Sequence, residues 1–278
     1  MQEILGIVKL KDAQLRYVRW GEGPKTLLCF HGFGLDKDSF FRLASMLSNE
    51  YTIFSFDIFF HGLSTFKSKG GVVTKSFWKD IMTIFLKENN IKRFSVLGFS
   101  MGGKFALATV EAFPAMIANL ILIAPDGIKV SRWYKFATST FFTRALLKEN
   151  IKKPFIYFKL VKIARKLGLA QKSVARFANT QMQTRNQREL VFNSWTAFRK
   201  LTFDIDEITE TLVRQRIKVF IFLGNHDKIL QEADLADFVG KIPGAKLKVL
   251  NSGHSNLVDN VELFLAANQR YFSEFDHL

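Results

Sequence analysis

From Lys25 onward, short apolar runs alternate with longer stretches whose apolar residues recur every three or four positions. The short runs are apolar at consecutive positions, which is typical of strands buried on both faces of a sheet. The longer stretches between them predict amphipathic helices. We therefore predict an α/β fold, a mostly parallel sheet with helices on both faces, built from the runs KTLLCFH, YTIFSFD, RFSVLGF, IANLILIAP, IKVFIFLG and KLKVLN. Two earlier runs, IVKLKD and QLRYVRW, predict an antiparallel hairpin at the sheet edge.

The segment between residues 128 and 203 interrupts the alternation and carries the whole excess of positive charge. The chain has 40 basic and 25 acidic residues, a formal charge of +15. This segment holds 17 of the basic residues and two of the acidic ones, which leaves 23 of each for the rest. It has helix-like runs over 133–149, 154–168 and 187–201 and no clear strand. We predict a core formed by residues 1–127 and 206–278, with a basic, Phe-rich helical insertion at 128–205.

The stretch RFSVLGFSMGGKFAL places Ser100 between two glycines, where a strand-like run passes directly into a helix-like one. A Gly-x-Ser-x-Gly sequence in this context is typical of a nucleophile elbow, a tight turn that exposes the serine hydroxyl. Gly98 and Gly102 lack Cβ atoms, so the strand and the helix can approach each other beside the serine. We therefore predict that Ser100 is a catalytic nucleophile.

A serine nucleophile needs a base, and the base needs an acid that fixes its tautomer. His254 follows the last strand-like run in NSGHSN, and Asp227 follows the preceding one in LGNHDKIL. Loops after parallel strands meet at one edge of the sheet, so we expect Ser100, His254 and Asp227 to form a triad. The HGFG loop after the first parallel strand predicts the Phe33 N–H as one oxyanion donor, and the Met101 N–H is the second.

The chain resembles the α/β-hydrolase fold superfamily in its capped branch. The resemblance rests on the motifs HGFG, FDIFFHGLS, GFSMGG, APDG, GNHD and SGH, in the family order and spacing. It implies that residues 128–205 form a cap, and that no cofactor is needed. It also implies relatives among small-molecule esterases, carbon–carbon bond hydrolases and acyl-carrier-protein methyl ester esterases. Some family members take the triad acid from an earlier strand, which makes Asp126 in APDG the alternative to Asp227.

The function expected from these residues is cleavage of an ester or related acyl bond of a small, largely apolar substrate, through an acyl-enzyme. Phe33, Phe99 and Ser255 are the predicted substrate-binding residues. Ser255 stands where carbon–carbon bond hydrolases commonly have Trp, so an ester is favoured over that substrate class. An acyl-carrier-linked ester or thioester and a carbon–carbon bond remain alternatives. A non-catalytic ligand receptor on the same fold is the alternative from another class.

The basic, Phe-rich cap leaves three interpretations of its partners open. It can dock on an anionic membrane surface, dock on an acidic carrier protein, or have no partner. We expect no nucleic acid, because only the charge favours it, and no metal, because the five histidines are scattered. The start MQEILGIVKLKD lacks a basic region followed by a long apolar stretch, so we expect a cytoplasmic protein, free or peripheral at the membrane.

Overall fold

The computed structural model describes residues 1–67, 71–130, 132–152, 155, 159, 180–268 and 271. Its strands are β1 Glu3–Leu10, β2 Ala13–Trp20, β3 Lys25–Phe30, β4 Tyr51–Phe56, β5 Thr65–Phe66, β6 Phe94–Phe99, β7 Ile117–Ile123, β8 Lys218–Gly224 and β9 Lys246–Leu250. Its α-helices are α1 Phe41–Leu47, α2 Lys75–Glu88, α3 Gly102–Ala112, α4 Arg132–Ser139, α5 Phe141–Lys152, α6 Arg185–Ala197, α7 Ile205–Arg214, α8 Ala236–Gly240 and α9 Leu257–Ala267. Short 3-10 helices lie at Lys37–Phe40, Pro114–Met116, Phe198–Lys200 and Glu232–Asp234.

The strands form one mixed sheet in the order β1-β2-β4-β3-β6-β7-β8-β9, with β5 paired to β2. The pairs from β4 to β9 along this order are parallel, whereas β1 and β2 are antiparallel to each other and β2 is antiparallel to β4. Every residue of β6, at the centre of the sheet, is buried. The predicted fold class is therefore confirmed, and the predicted hairpin lies at the sheet edge.

The strand order reverses at β3, and this reversal positions the loops that follow β3 and β6. After β3 the chain passes through α1 to β4 on one side of β3, and it later enters β6 on the other side. Parallel crossovers are right-handed, so the reversal puts α1 and α3 on opposite faces of the sheet. Ligands of α/β proteins bind in the crevice at the carboxyl ends of strands at such a point. The HGFG loop follows β3, and Ser100 follows β6.

Aromatic side chains fill the core beside these central strands. Trp78 on α2 contacts Phe105 on α3 and Phe30 on β3, with ring centroids 4.8 and 5.4 Å apart. All three are fully buried. The indole N–H of Trp78 donates to the Thr109 hydroxyl at 3.0 Å, so the one polar group of this ring has a partner inside the core. This packing fixes α2 and α3 against the sheet.

Two of the differences between the helices and the sequence prediction lie between residues 133 and 214. The run predicted as one helix over 133–149 is two helices, because Thr140 and Thr143 exchange side-chain to backbone hydrogen bonds and start a new helix at Phe141. Helix α7 was not predicted at all. Asp204 caps it by accepting from the Asp206 and Glu207 amides. The helix predicted over 154–168 lies outside the described residues, apart from 155 and 159.

Contacts between Cα atoms divide the chain into two compact units. One comprises residues 1–67, 74–129 and 201–278, and the other comprises 68–73 and 130–200. The predicted insertion, residues 128–205, begins and ends within a few residues of the segment 130–200. The division into a core domain and a cap domain stays a prediction. Within the residues that the structure describes, no helix is both long and apolar enough to cross a membrane.

We predict that Thr109→Val destabilises the fold, because it leaves the buried indole N–H of Trp78 without an acceptor. An unpaired buried donor costs about 1 to 3 kcal/mol, which should lower Tm by several degrees in thermal denaturation. Thr83→Val is the matched control, since Thr83 is exposed on α2 and donates only to the Lys79 carbonyl. Equal melting temperatures for the two variants would contradict the role given to Thr109.

Candidate active site

Ser100 lies in a left-handed backbone conformation, with a φ of +50°, between the end of β6 and the start of α3. Left-handed backbone is uncommon outside glycine and has to be held by its surroundings. Three backbone hydrogen bonds hold it here. The Ser100 N–H donates to the Ile123 carbonyl at 2.9 Å, and the Ser100 carbonyl accepts from the Gly103 and Asp126 amides, both at 2.8 Å.

The two glycines of the motif are required by close backbone approaches. A Cβ on Gly102 would lie 1.9 Å from the carbonyl oxygen of Phe30 on β3. A Cβ on Gly98 would lie 2.7 Å from the Gly102 carbonyl oxygen and 2.9 Å from the Cβ of Ala106. Real Cβ atoms are not found at such distances, so α3 can pack this closely on β3 and β6 only with glycine at both positions.

Three side chains from three loops form a hydrogen-bonded chain. His254 Nε2 lies 2.9 Å from Ser100 Oγ, and His254 Nδ1 lies 2.6 Å from Asp227 Oδ2. Because the Asp227 carboxylate can only accept, the proton of the neutral imidazole lies on Nδ1 and Nε2 is the acceptor for the serine hydroxyl. The three residues that were predicted from their positions after β6, β8 and β9 therefore meet in hydrogen-bonding geometry.

Asp227 is held in one orientation by its own loop. Its side chain is fully buried. Its Oδ1 accepts from the Ile229 N–H at 2.7 Å and from the Leu230 N–H at 3.3 Å, which leaves Oδ2 for His254. Burial raises the pKa of this carboxyl, but the hydrogen bond and charge of His254 and the two amides outweigh it, so the pKa of Asp227 is lowered. Asp227 therefore stays ionised beside the imidazole.

Asp126, the alternative acid, has different partners. Its Oδ2 lies 3.1 Å from Lys104 Nζ, and its Oδ1 accepts from the Gly127 N–H at 2.8 Å. Lys104 is on α3 and its side chain is 3% exposed. The structure thus brings Asp227 to His254 and leaves Asp126 with Lys104. Sequence reasoning missed Lys104, although a lysine inside the apolar run GGKFALATV is a signal of a buried ion pair.

The HGFG loop passes beside Ser100. A Cβ on Gly32 would lie 2.9 Å from the Phe99 ring and 3.4 Å from Ser100 Cβ, so the loop backbone runs against the elbow. Met101, the residue after the serine, is buried and directly precedes α3. The two residues predicted as oxyanion donors, Phe33 and Met101, therefore follow Gly32 and Ser100 on adjacent segments. Their role stays a prediction.

His31 fixes the shape of this loop. Its Nδ1 donates to the Gly32 carbonyl at 2.7 Å, and its Nε2 accepts from the Ile58 N–H at 2.9 Å. Burial and the neighbouring His61 lower the pKa of His31 to about 3, against the effect of the Gly32 carbonyl. The ring is therefore neutral at physiological pH, and it links the loop after β3 to the loop after β4.

The predicted substrate-binding residues occupy different environments. The Phe99 ring is buried and lies 5.3 Å from the His254 ring, centroid to centroid. Phe33 is half-buried and its ring lies 5.5 Å from that of His61. Ser255 is exposed beside His254. Substrate contact by these three residues stays a prediction. Among the described residues, no group of three or more His, Cys, Asp or Glu is placed to hold a metal ion.

A family model for the α/β-hydrolase fold matches residues 25–261. This chain belongs to the α/β-hydrolase fold family. The match includes strands β3 to β9 and the predicted cap, residues 128–205, and it ends beyond His254. The hydrolase fold seen in the strand order and the elbow thus also agrees with the family match over residues 25–261.

Several known proteins are similar to parts of this α/β-hydrolase or to its fold. It is 31% identical over 114 residues to the dihydrolipoyllysine-residue acetyltransferase component of the acetoin cleaving system of Cupriavidus necator, a match that covers 41% of this chain and 30% of that protein. It is 30% identical over 119 residues to a serine hydrolase-like protein of Danio rerio, and this match covers 40% of this chain and 36% of that protein. The chain spans about a third of the length of these curated relatives.

The solved structure of a thermophilic esterase from Thermogutta terrifontis is similar to this hydrolase with a TM-score of 0.69, at 18% identity and 99% coverage of both chains. At that identity the likeness shows the fold alone. The family match and the serine hydrolase-like relative support a hydrolase as the coarse functional class.

We predict that Gly102→Ala disrupts the elbow, because the added methyl group would overlap the Phe30 carbonyl. Backbone shifts that relieve such overlap cost about 3 kcal/mol, which differential scanning calorimetry would detect as a lower Tm. Gly240→Ala is the matched control, since a Cβ at the end of α8 meets no atom within 4 Å. A Gly102→Ala protein as stable as the control would contradict the close approach.

Proposed function

We propose that this chain is a serine hydrolase that cleaves a carboxylic ester of a small, largely apolar substrate through an acyl-enzyme. The observation that carries the proposal is the hydrogen-bonded chain from Ser100 through His254 to Asp227, with donor–acceptor distances of 2.9 and 2.6 Å. These distances fall within the range at which a base takes a proton from a nucleophile.

In the first step, Ser100 Oγ attacks the acyl carbon and its proton passes to His254 Nε2. Asp227 stabilises the imidazolium that forms, because it stays ionised and accepts from Nδ1. The oxygen of the attacked carbonyl gains negative charge, and the Met101 and Phe33 amides are the proposed donors to it. Collapse of the tetrahedral intermediate breaks the ester C–O bond, and the alcohol leaves with the proton from Nε2.

In the second step, water attacks the acyl-enzyme and gives a proton to His254 Nε2. The acyl–Ser100 bond then breaks, the carboxylic acid leaves, and the proton returns to Ser100 Oγ. The same residues therefore serve as base and then as acid in each half-reaction. The rigid loop around His31 keeps the proposed Phe33 donor in place throughout, since the neutral ring of His31 keeps both of its hydrogen bonds.

The proposal is tested by hydrolysis of p-nitrophenyl esters from acetyl to palmitoyl. We expect turnover to peak at one chain length, and to fall by about 10⁴-fold or more in Ser100→Ala and in His254→Ala. Ser45→Ala is the matched control, because Ser45 is exposed on α1. Turnover that survives in Ser100→Ala would contradict the proposal. Absence of turnover on every ester would favour a carrier-linked or carbon–carbon substrate, or a ligand receptor.

We further predict that Asp227→Asn and Asp126→Asn have opposite profiles. An asparagine at 227 cannot stabilise the imidazolium, so kcat should fall on the order of 10³ to 10⁴-fold with little loss of stability. An asparagine at 126 removes the charge that pairs with the buried Lys104, so Tm should fall while kcat stays within about tenfold. The reverse profile in steady-state kinetics and thermal melting would make Asp126 the triad acid.

A further inference from the structure

Large apolar side chains stand exposed on α4 and α5, within the cap segment. Phe141 and Phe142 are 73% and 82% exposed at the start of α5, and Leu146 one turn later is 52% exposed. Phe136 on α4 is 62% exposed. We call these four residues the aromatic corner. Exposed apolar patches of this kind on a soluble protein mark interaction sites.

The backbone at the aromatic corner is firmly held by polar contacts. Thr140 Oγ1 accepts from the Thr143 N–H at 3.1 Å, and Thr143 Oγ1 accepts from the Thr140 N–H at 3.2 Å. The Arg144 guanidinium donates to the Thr138 and Ser139 carbonyls at 2.9 and 3.1 Å, so it closes the end of α4. The two phenylalanines are therefore presented outward by a well-hydrogen-bonded turn.

The opposite face of α5 is already packed within the same unit. Leu147 and Asn150 are buried. At the end of α5, the Arg188 side chain from α6 donates to the Ile151 carbonyl at 3.2 Å and also to the Met182 and Gln183 carbonyls. Helix α5 thus has one face packed against α6, whereas the face that carries Phe142 and Leu146 is exposed.

Exposed lysines lie on the same two helices as the aromatic corner. Lys135, Lys148 and Lys152 are exposed on the same two helices, and Glu149 is the one acidic residue in the sequence of α4 and α5. Phe141 and Lys148 lie seven positions apart on α5, two helical turns, so they share one side of the helix. Phe141 and Lys148 therefore lie on one side of α5, about 10 Å apart along the helix axis.

We propose that the aromatic corner docks this chain on an anionic lipid bilayer. Phenylalanines at the edge of a basic surface insert at the boundary between headgroups and acyl chains, and lysines around them attract anionic headgroups. A bilayer accepts both features without a shape-matched pocket. An acidic protein partner would match the lysines, but it would also have to supply an apolar cavity for the exposed pair of Phe141 and Phe142, whose rings lie 6.0 Å apart in an edge-to-face arrangement. The docking goes beyond the proposed hydrolysis and does not depend on it.

The test is co-sedimentation with vesicles of phosphatidylcholine containing about one-third phosphatidylglycerol, beside pure phosphatidylcholine vesicles. We expect binding to the anionic vesicles alone, weakening as salt rises. Phe141→Ser/Phe142→Ser should weaken binding roughly tenfold to a hundredfold through lost apolar insertion. Lys148→Glu/Lys152→Glu should weaken it on the order of a hundredfold at low salt.

Matched controls test whether vesicle binding depends on this surface or only on the net charge and the number of exposed apolar side chains. Lys92→Glu/Arg93→Glu changes the net charge by the same amount at exposed positions of the other unit, and Leu5→Ser/Leu263→Ser removes exposed apolar side chains there. Both controls should bind as the wild type does, and so should Ser100→Ala. Circular dichroism and melting curves should be unchanged for every surface variant.

Several results would overturn the proposal. One is absence of binding to anionic vesicles at low salt. Another is an equal loss of vesicle affinity in Lys148→Glu/Lys152→Glu and in the control Lys92→Glu/Arg93→Glu. A third is vesicle binding by Phe141→Ser/Phe142→Ser that equals that of the wild type. Binding of an acidic acyl carrier protein without binding of vesicles would also overturn it and would assign the surface to a protein partner.

Discussion

The left-handed backbone of Ser100 is the constraint on which the site depends. A serine with a φ of +50° is held only because β7, α3 and the loop after β7 supply hydrogen bonds to both of its peptide groups. That turn allows α3 to start immediately after the strand, which in turn forces glycine at positions 98 and 102. The same close packing brings the hydroxyl of Ser100 to the imidazole of His254. The strained backbone of Ser100 and the placement of its hydroxyl therefore have one cause.

The sheet topology brings the other loops of the site to Ser100. The reversal of strand order at β3 places the loop after β3 beside the loop after β6, and the later strands β8 and β9 bring their own loops to the same edge. Each loop is then fixed by a buried polar group. His31 bonds the Gly32 carbonyl and the Ile58 amide, and Asp227 bonds two amides of its own loop. The hydrogen-bonding geometry of Ser100, His254 and Asp227 thus depends on loops that are held by internal hydrogen bonds.

Much of this arrangement was predictable from sequence, because the strands are apolar on both faces and the motifs follow them directly. The fold class followed from the apolar pattern of the strands, and the meeting of Ser100 with His254 followed from the motifs and their loops. Loop position alone left Asp126 open beside Asp227, because both follow a strand, and the hydrogen bond to His254 in the structure distinguishes them. Helix α7 was not predicted, although the Asp204 cap and the spacing of Ile205, Ile208 and Leu212 are helix signals. The break before Phe141 depends on mutual threonine bonds, and the exposure of Phe142 depends on which face of α5 packs on α6. Neither follows from periodicity.

The central claim is that Ser100 is activated by His254, and covalent labelling tests it most directly. A fluorophosphonate probe forms a bond between phosphorus and an activated serine oxygen as fluoride leaves, and peptide mass spectrometry locates the adduct. The account predicts a single adduct on Ser100 that disappears in His254→Ala, although the serine itself is retained. No adduct on the wild type, an adduct on another serine, or undiminished labelling of Ser100 in His254→Ala would contradict it.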